Sequence, residues 1–232
     1  MDPWTTPTQN AEREMHRDVA AVPDTAAFMG KVYRWMAFGL GLTGLIAMVV
    51  AGNPEMLRVV AKAFLPIVIG ELVLVLIFSA VVHRVSFAVG AAMFLVYCAL
   101  NGVTFSLLFV IYTQSSIASA FFITGGTFAA MSVYGTVTRR DLSGWGSFLL
   151  MGLFGVVIAG VVNLFMRSDA MSFVISCASV VVFTGLTAWD TQKLKGMAHA
   201  GDDRLALQGA LTLYLDFVNL FLAVLRLLGR RR

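Results

Sequence analysis

Apolar positions in this chain come in long unbroken runs, with neither strict alternation nor a repeating polar face. Seven runs stand out, at residues 33–50, 64–82, 87–112, 117–137, 145–166, 171–190 and 205–228. Each is near the roughly 20 residues that a helix needs to cross hydrocarbon. Short polar or turn-forming stretches separate them: GNPE, HR, TQSS, TRRD, RSD and KLKGMAHAGDDR. Period-two alternation is missing, which argues against a membrane β-barrel. Backbone groups in lipid must be satisfied within the segment, and runs of this length do that as helices. The pattern therefore predicts an all-α polytopic membrane protein of seven transmembrane helices. Its organisation is a flexible polar tail at 1–27, one membrane domain at 28–229 and a basic tail at 230–232. The short connections make consecutive helices neighbours.

Composition sharpens this. Hydrophobic residues make up 59% of the chain and charged residues 13%, against about 25% charged in a soluble protein. Cys98 and Cys177 both fall inside apolar runs and read as small buried hydrophobes. His16, His83 and His199 form no zinc-binding pattern. Nucleophile-elbow, phosphate-loop and dinucleotide motifs do not occur, so the chain is not expected to be an enzyme or to hold a tight cofactor. The net charge of +4 is small and scattered, which argues against nucleic acid as a partner. The first 24 residues mix both charges and lack the apolar core of a signal peptide, with an interfacial turn expected near Trp4. Small residues at Gly39–Gly44, Thr124–Ala130 and Gly152–Gly160 would let helices approach closely within the chain.

Basic residues in short loops set orientation. One side carries ten: Arg13, Arg17, Lys31, Arg34, Arg84, Arg139, Arg140, Lys193, Lys195 and Arg204. The other side's loops carry three: Arg58, Lys62 and Arg167. That count puts the N-terminus in the cytoplasm, and seven spans then put the C-terminus outside. The basic end, Arg226 and Arg230–Arg232, pulls the other way. A re-entrant last segment is the alternative.

Ionisable groups inside the membrane are functional candidates by default. Glu71 lies inside the second run, with Arg84 at its cytoplasmic end. Asn101 lies in the third, Asp190 ends the sixth, and Asp216 sits in the seventh. Thr212, Asp216 and Asn219 fall at i, i+4 and i+7, on one helical face. Ser176, Ser179, Thr187 and Asp190 share a face of the sixth run. Facing acids in a dry interior cannot both ionise cheaply, so they would hold one proton between them. Such a pair could act as a pH switch or as a cation site, since hard cations take oxygen ligands. The plainer readings are that Asp190 caps a helix end and that Asp216 pairs with Arg84 or Arg226. Glu71 could line a pore or pair with a basic group. Asn101 and Asn219 read more simply as interhelical hydrogen-bond partners.

Three stretches resemble the Bax inhibitor-1, or transmembrane Bax inhibitor motif, family, and its bacterial members in particular. They are FFITGGTFAAMSVYGTVTRRDLSGWGSFLLMGLFGVVIAGVVNLF from Phe121, FTGLTAWDTQKLK from Phe183, and ALTLYLDFVNLFLAVLRLLG from Ala210. The resemblance covers residues 28–229. It implies six helices surrounding a central C-terminal one, an inner-membrane location and a pH-dependent calcium leak. It implies that the AWDTQ acid, Asp190, and the LYLDF acid, Asp216, form the sensing pair, with Arg84 contacting it. Glu71 resembles an acid of the bacterial second helix. The basic tail departs from the acidic tails of some relatives. The resemblance also implies a different class of function, an interaction protein restraining a membrane-bound protease, with the N-terminal tail as contact. A proton-coupled cation exchanger is a further alternative. An intramembrane aspartyl protease fits poorly, because the flanks lack its Tyr-Asp and Gly-x-Gly-Asp arrangement.

Overall fold

The computed structural model describes residues 25–198 and 202–231. The tail expected at the N-terminus falls mostly outside them, as do Trp4, His16 and His199. Nine α-helices are present among the described residues: α1 Thr25–Ala51, α2 Pro54–Lys62, α3 Phe64–Val81, α4 Phe87–Phe105, α5 Leu108–Ile111, α6 Gln114–Val137, α7 Ser143–Met166, α8 Asp169–Met197 and α9 Asp203–Leu228. Counting α4 and α5 as one span, seven helices are long and apolar enough to cross a membrane.

Several boundaries differ from the pattern, each for a local reason. The first helix begins at Thr25, inside the segment read as tail. The GNPE turn opens a short helix, because the Asn53 side chain accepts the Glu55 and Met56 N–H groups and Pro54 fits the first helical turn. The third run breaks at Ser106, whose hydroxyl donates to the Val103 carbonyl at 2.6 Å. Most consequential is α8, which continues seven residues past Asp190 to Met197. Asp190 is thus inside a helix and does not cap its end.

Burial is uneven in a way that defines the architecture. In α9 most side chains are enclosed, with Leu207, Leu213, Tyr214 and Leu220 fully so. It packs against α8, α1, α6 and α4. The two remaining spans form an outer layer, with α3 against α4 and α7 against α8. Their outer faces, including Leu72, Leu76, Phe154 and Phe165, are exposed. Such apolar faces are costly in water and suited to acyl chains. The aromatic residues Trp35, Phe94, Tyr97 and Tyr214 meet edge to face where α1, α4 and α9 converge.

The expected small-residue faces serve packing only in part. Gly39 fits against Phe94 and Cys98, and Gly152 against Val182, but Gly41, Gly44, Gly125, Gly126, Gly155 and Gly160 adjoin open space. The tightest backbone approaches lie elsewhere. Gly102 meets the Thr43 carbonyl and Gly135 meets the Ala188 carbonyl.

The helix ends sort into two faces. On one, Lys31 at the start of α1 pairs with Asp203 at the start of α9, 2.6 Å apart. On the same face Arg204 donates to the carbonyls of His83 and Val85 in the α3–α4 loop. On the other face, the chain after α9 lies along the loop before α6. The Thr113 N–H donates to the Arg230 carbonyl, and the Arg230 N–H to the Ser116 hydroxyl. α9 runs unbroken from one of these faces to the other.

Candidate functional site

Asp190 and Asp216 meet in the interior between α8 and α9. Both are buried, at 7% and 5% exposure. Their carboxyl groups lie within a side-chain hydrogen bond of each other. Asp216 sits thirteen residues into α9, about 20 Å from Asp203 at 1.5 Å per residue. Its Oδ2 is enclosed and meets no conventional donor among the described residues. Ionised carboxylates only accept hydrogen bonds, so a bond between two of them requires a proton on one. The packing of α8 on α9 thus brings two acids from different helices together in the interior.

The AWDTQKLK stretch builds the site's walls. Trp189 packs against Gly146 of α7, where an added Cβ would collide with the indole. Thr191 is fully buried, and its hydroxyl meets that of Ser132 on α6 at 3.2 Å. Gln192 accepts the Leu142 N–H at 2.8 Å and donates to the Arg140 carbonyl at 2.9 Å, pinning the α6–α7 loop. Leu194 packs on Gly209 of α9. Lys195 donates to the Thr136 carbonyl at the end of α6. One acid is thus held by a helix that is itself fastened to α6, α7 and α9.

Lys193, one turn beyond Asp190, supplies the positive field acting on it, and its ammonium stands 4.9 Å from the Trp189 ring centre. Sequence reasoning counted Lys193 only as a loop charge, because it ended the helix at Asp190. The i, i+3 spacing was the available signal. Arg84, the cation expected at the pair, is exposed in the α3–α4 loop, and neither aspartate meets it in an ion pair among the described residues. The short loop holds it at the surface, tied at its flanking carbonyls by Arg204.

The other expected residues do not join the pair. Glu71 accepts a hydrogen bond from Thr104 at 3.0 Å, across the α3–α4 contact. Asn101 is buried and donates to the Tyr97 carbonyl one turn back. Thr212 and Asn219 are half-buried and donate to the carbonyls of Gln208 and Leu215. Ser176, Ser179 and Thr187 likewise donate to carbonyls four residues back. The polar stripes on α8 and α9 are real, but only their acids meet. Among the described residues no three His, Cys, Asp or Glu side chains come together as metal ligands. Two carboxyl groups fall well short of the six to eight oxygens of a resident calcium site.

Comparison with known proteins gives the fold a lineage. A family profile described as "Inhibitor of apoptosis-promoting Bax1" matches residues 25–232. The chain is 44% identical over 215 residues to the inner membrane protein YbhL of Escherichia coli K12, covering 88% of this chain and 92% of that one. It is 43% identical over 205 residues to a protein of Deinococcus radiodurans, covering 86% and 89%. It is 37% identical over 212 residues to the membrane protein SpyM3_0260 of Streptococcus pyogenes serotype M3, covering 88% and 92%. A profile spanning nearly all the described helices, and relatives matched along almost their whole length, establish that the chain belongs to the Bax inhibitor-1 family.

Proposed function

We propose that this protein is a pH-sensitive cation leak of the bacterial inner membrane, passing calcium beside α9 and gated by the proton shared between Asp190 and Asp216. The observation that carries the reading is the buried carboxyl–carboxyl contact joining the central helix to α8. With the proton in place, the contact is attractive and clamps the two helices. When the proton leaves, two anions face each other in a low-dielectric interior and repel. The clamp opens, and the freed oxygens present a cation with ligands of its preferred kind. Lys193 tempers the negative charge on the Asp190 side, in the role first expected for Arg84. The name of the Escherichia coli relative supports the inner membrane, and the ten-to-three distribution of basic residues supports a cytoplasmic N-terminus.

The test is calcium flux into liposomes holding the purified protein, scanned across about pH 5 to 8, where coupled carboxyl pairs can titrate. The Asp190→Asn/Asp216→Asn variant is run beside it. Flux should rise with pH in the parent and lose that dependence in the variant, whose amides cannot ionise. Equal pH dependence in both would remove the switch. No flux above protein-free liposomes at any pH would remove the leak, leaving the pair as a structural clamp and favouring a protease-partner role.

A further inference from the structure

Next to the aspartate pair, but outside it, the α6–α7 loop and the last turns of α8 border an open surface cavity of about 560 Å³. Its cations are Arg139, Arg140 and Lys193, and its single acid is Asp141. None of the three cations has a carboxylate within ion-pair distance among the described residues. Asp141 is engaged by the first turn of α7, where its Oδ1 accepts the Ser143 N–H at 2.9 Å. Lys193 also acts on Asp190, so the cavity's unspent positive charge is chiefly that of Arg139 and Arg140.

Two features make it a built site. Gln192 fixes both the Leu142 N–H and the Arg140 carbonyl, so the arginine-bearing loop has a set shape. The Trp189 indole packs on Gly146 and carries the Lys193 ammonium over its face, holding that cation at the cavity wall. The cavity also lies where α6 and α7 end and begin, at the level expected for headgroups.

What lies alongside identifies the class of ligand. Trp145 and Phe148, on the first turns of α7, are 60% and 64% exposed and meet edge to face. A free phosphate would use the cations alone. A phospholipid would use both the cations and the apolar strip leading away from them. Basic pockets between helices on the cytoplasmic side suit anionic headgroups, and this face is the one with the excess of basic residues.

We propose that this cavity binds the phosphate of an anionic phospholipid, held by Arg139, Arg140 and Lys193, with its acyl chains lying along Trp145 and Phe148. The site does not depend on the leak reading.

The full-length protein in detergent is offered equal amounts of phosphatidylglycerol and phosphatidylcholine, and retained lipid is counted by native mass spectrometry. The parent should prefer phosphatidylglycerol, and the Arg139→Gln/Arg140→Gln/Lys193→Gln variant should lose the preference, at roughly fivefold per cation removed. An Arg58→Gln/Lys62→Gln/Arg167→Gln variant, altered at the opposite face, should keep it. Should the triple variant fail to fold, the Arg139→Gln and Arg140→Gln single variants are read in the same assay, each with a partial loss. An unchanged preference without the three cations overturns the site. Displacement of phosphatidylglycerol by equimolar inorganic phosphate overturns the lipid assignment in favour of a soluble phosphate. Quenching of Trp145 by brominated acyl chains on phosphatidylglycerol, absent in Trp145→Phe, reads the acyl strip, and no difference between the two removes that part.

Discussion

The contact between α6 and α8 beside Asp190 rests on Gly135 having no side chain, and Gly135→Ala measures what that contact is worth. A Cβ there would stand 2.3 Å from the Ala188 carbonyl oxygen and 3.0 Å from its carbon. The obstruction is backbone, which cannot rotate away as a side chain would. Ordinary contact begins near 3.4 Å, so the helices must part by about 1 Å. Overpacking of this kind costs about 1–3 kcal/mol. Alanine also gains about 1 kcal/mol over glycine in helix propensity, which partly masks the loss. Gly125→Ala corrects for this, since Gly125 lies on the same helix and has nothing within 4 Å of its added Cβ. The difference between the two variants then isolates the clash. Chains of this size shift in melting temperature by about 2–4 °C per kcal/mol, so Gly135→Ala should melt several degrees below Gly125→Ala in detergent. The parting should also stretch the Ser132–Thr191 bond, 3.2 Å in the parent, and the pH response of flux should weaken with it. Identical melting of the two variants would refute the close approach.

Two further predictions rest on hydrogen bonds. The Thr43 hydroxyl meets the carbonyls of Gly39 and Cys98 and the Tyr214 hydroxyl, all within 2.9 Å. With its one proton on either carbonyl, Thr43 would accept from the buried Tyr214. Thr43→Val therefore strands a buried O–H and should cost about 1–3 kcal/mol, more than Tyr214→Phe at about 0.5–1.5 kcal/mol. The reverse order in denaturant unfolding would overturn the donor assignment. At the start of α9, Asp202 accepts from the Arg204 side chain at 3.0 Å and from its N–H at 2.9 Å. These bonds hold the Asp202 carboxyl below its ordinary range. Its stabilisation is present above the unfolded-state value and is lost as pH falls through the depressed folded one. Asp202→Ala should cost about 0.5–2 kcal/mol near neutrality and converge on the parent in acid. A gap in melting temperature that persists in acid would contradict the cap.

The apolar runs alone determined the membrane class, the count of seven spans and most helix bounds, because hydrocarbon forces every backbone group to bond within its own segment. Helical spacing likewise picked out Asp190 and Asp216, because an acid deep in an apolar run stands out against its neighbours whatever the tertiary contacts. Helix ends were less legible. Past Asp190 the chain turns polar, so α8 looked finished, although Thr191, Gln192 and Lys195 continue it by bonding to α6 and the α6–α7 loop.

Only the tertiary structure decided which polar groups meet. Thr212, Asn219 and Ser179 share faces with the acids, yet each spends its proton on a carbonyl of its own helix. Composition could not reveal this, because the choice between a local and an interhelical partner depends on what packs opposite. Arg84 stays at the surface while Lys193 lies one turn from Asp190 for the same reason. Periodicity ranks residues along one helix, whereas distance between helices is set by packing at points such as Gly135 and Gly102. A glycine facing lipid and a glycine facing another backbone look alike in the sequence, and the packing around each tells them apart.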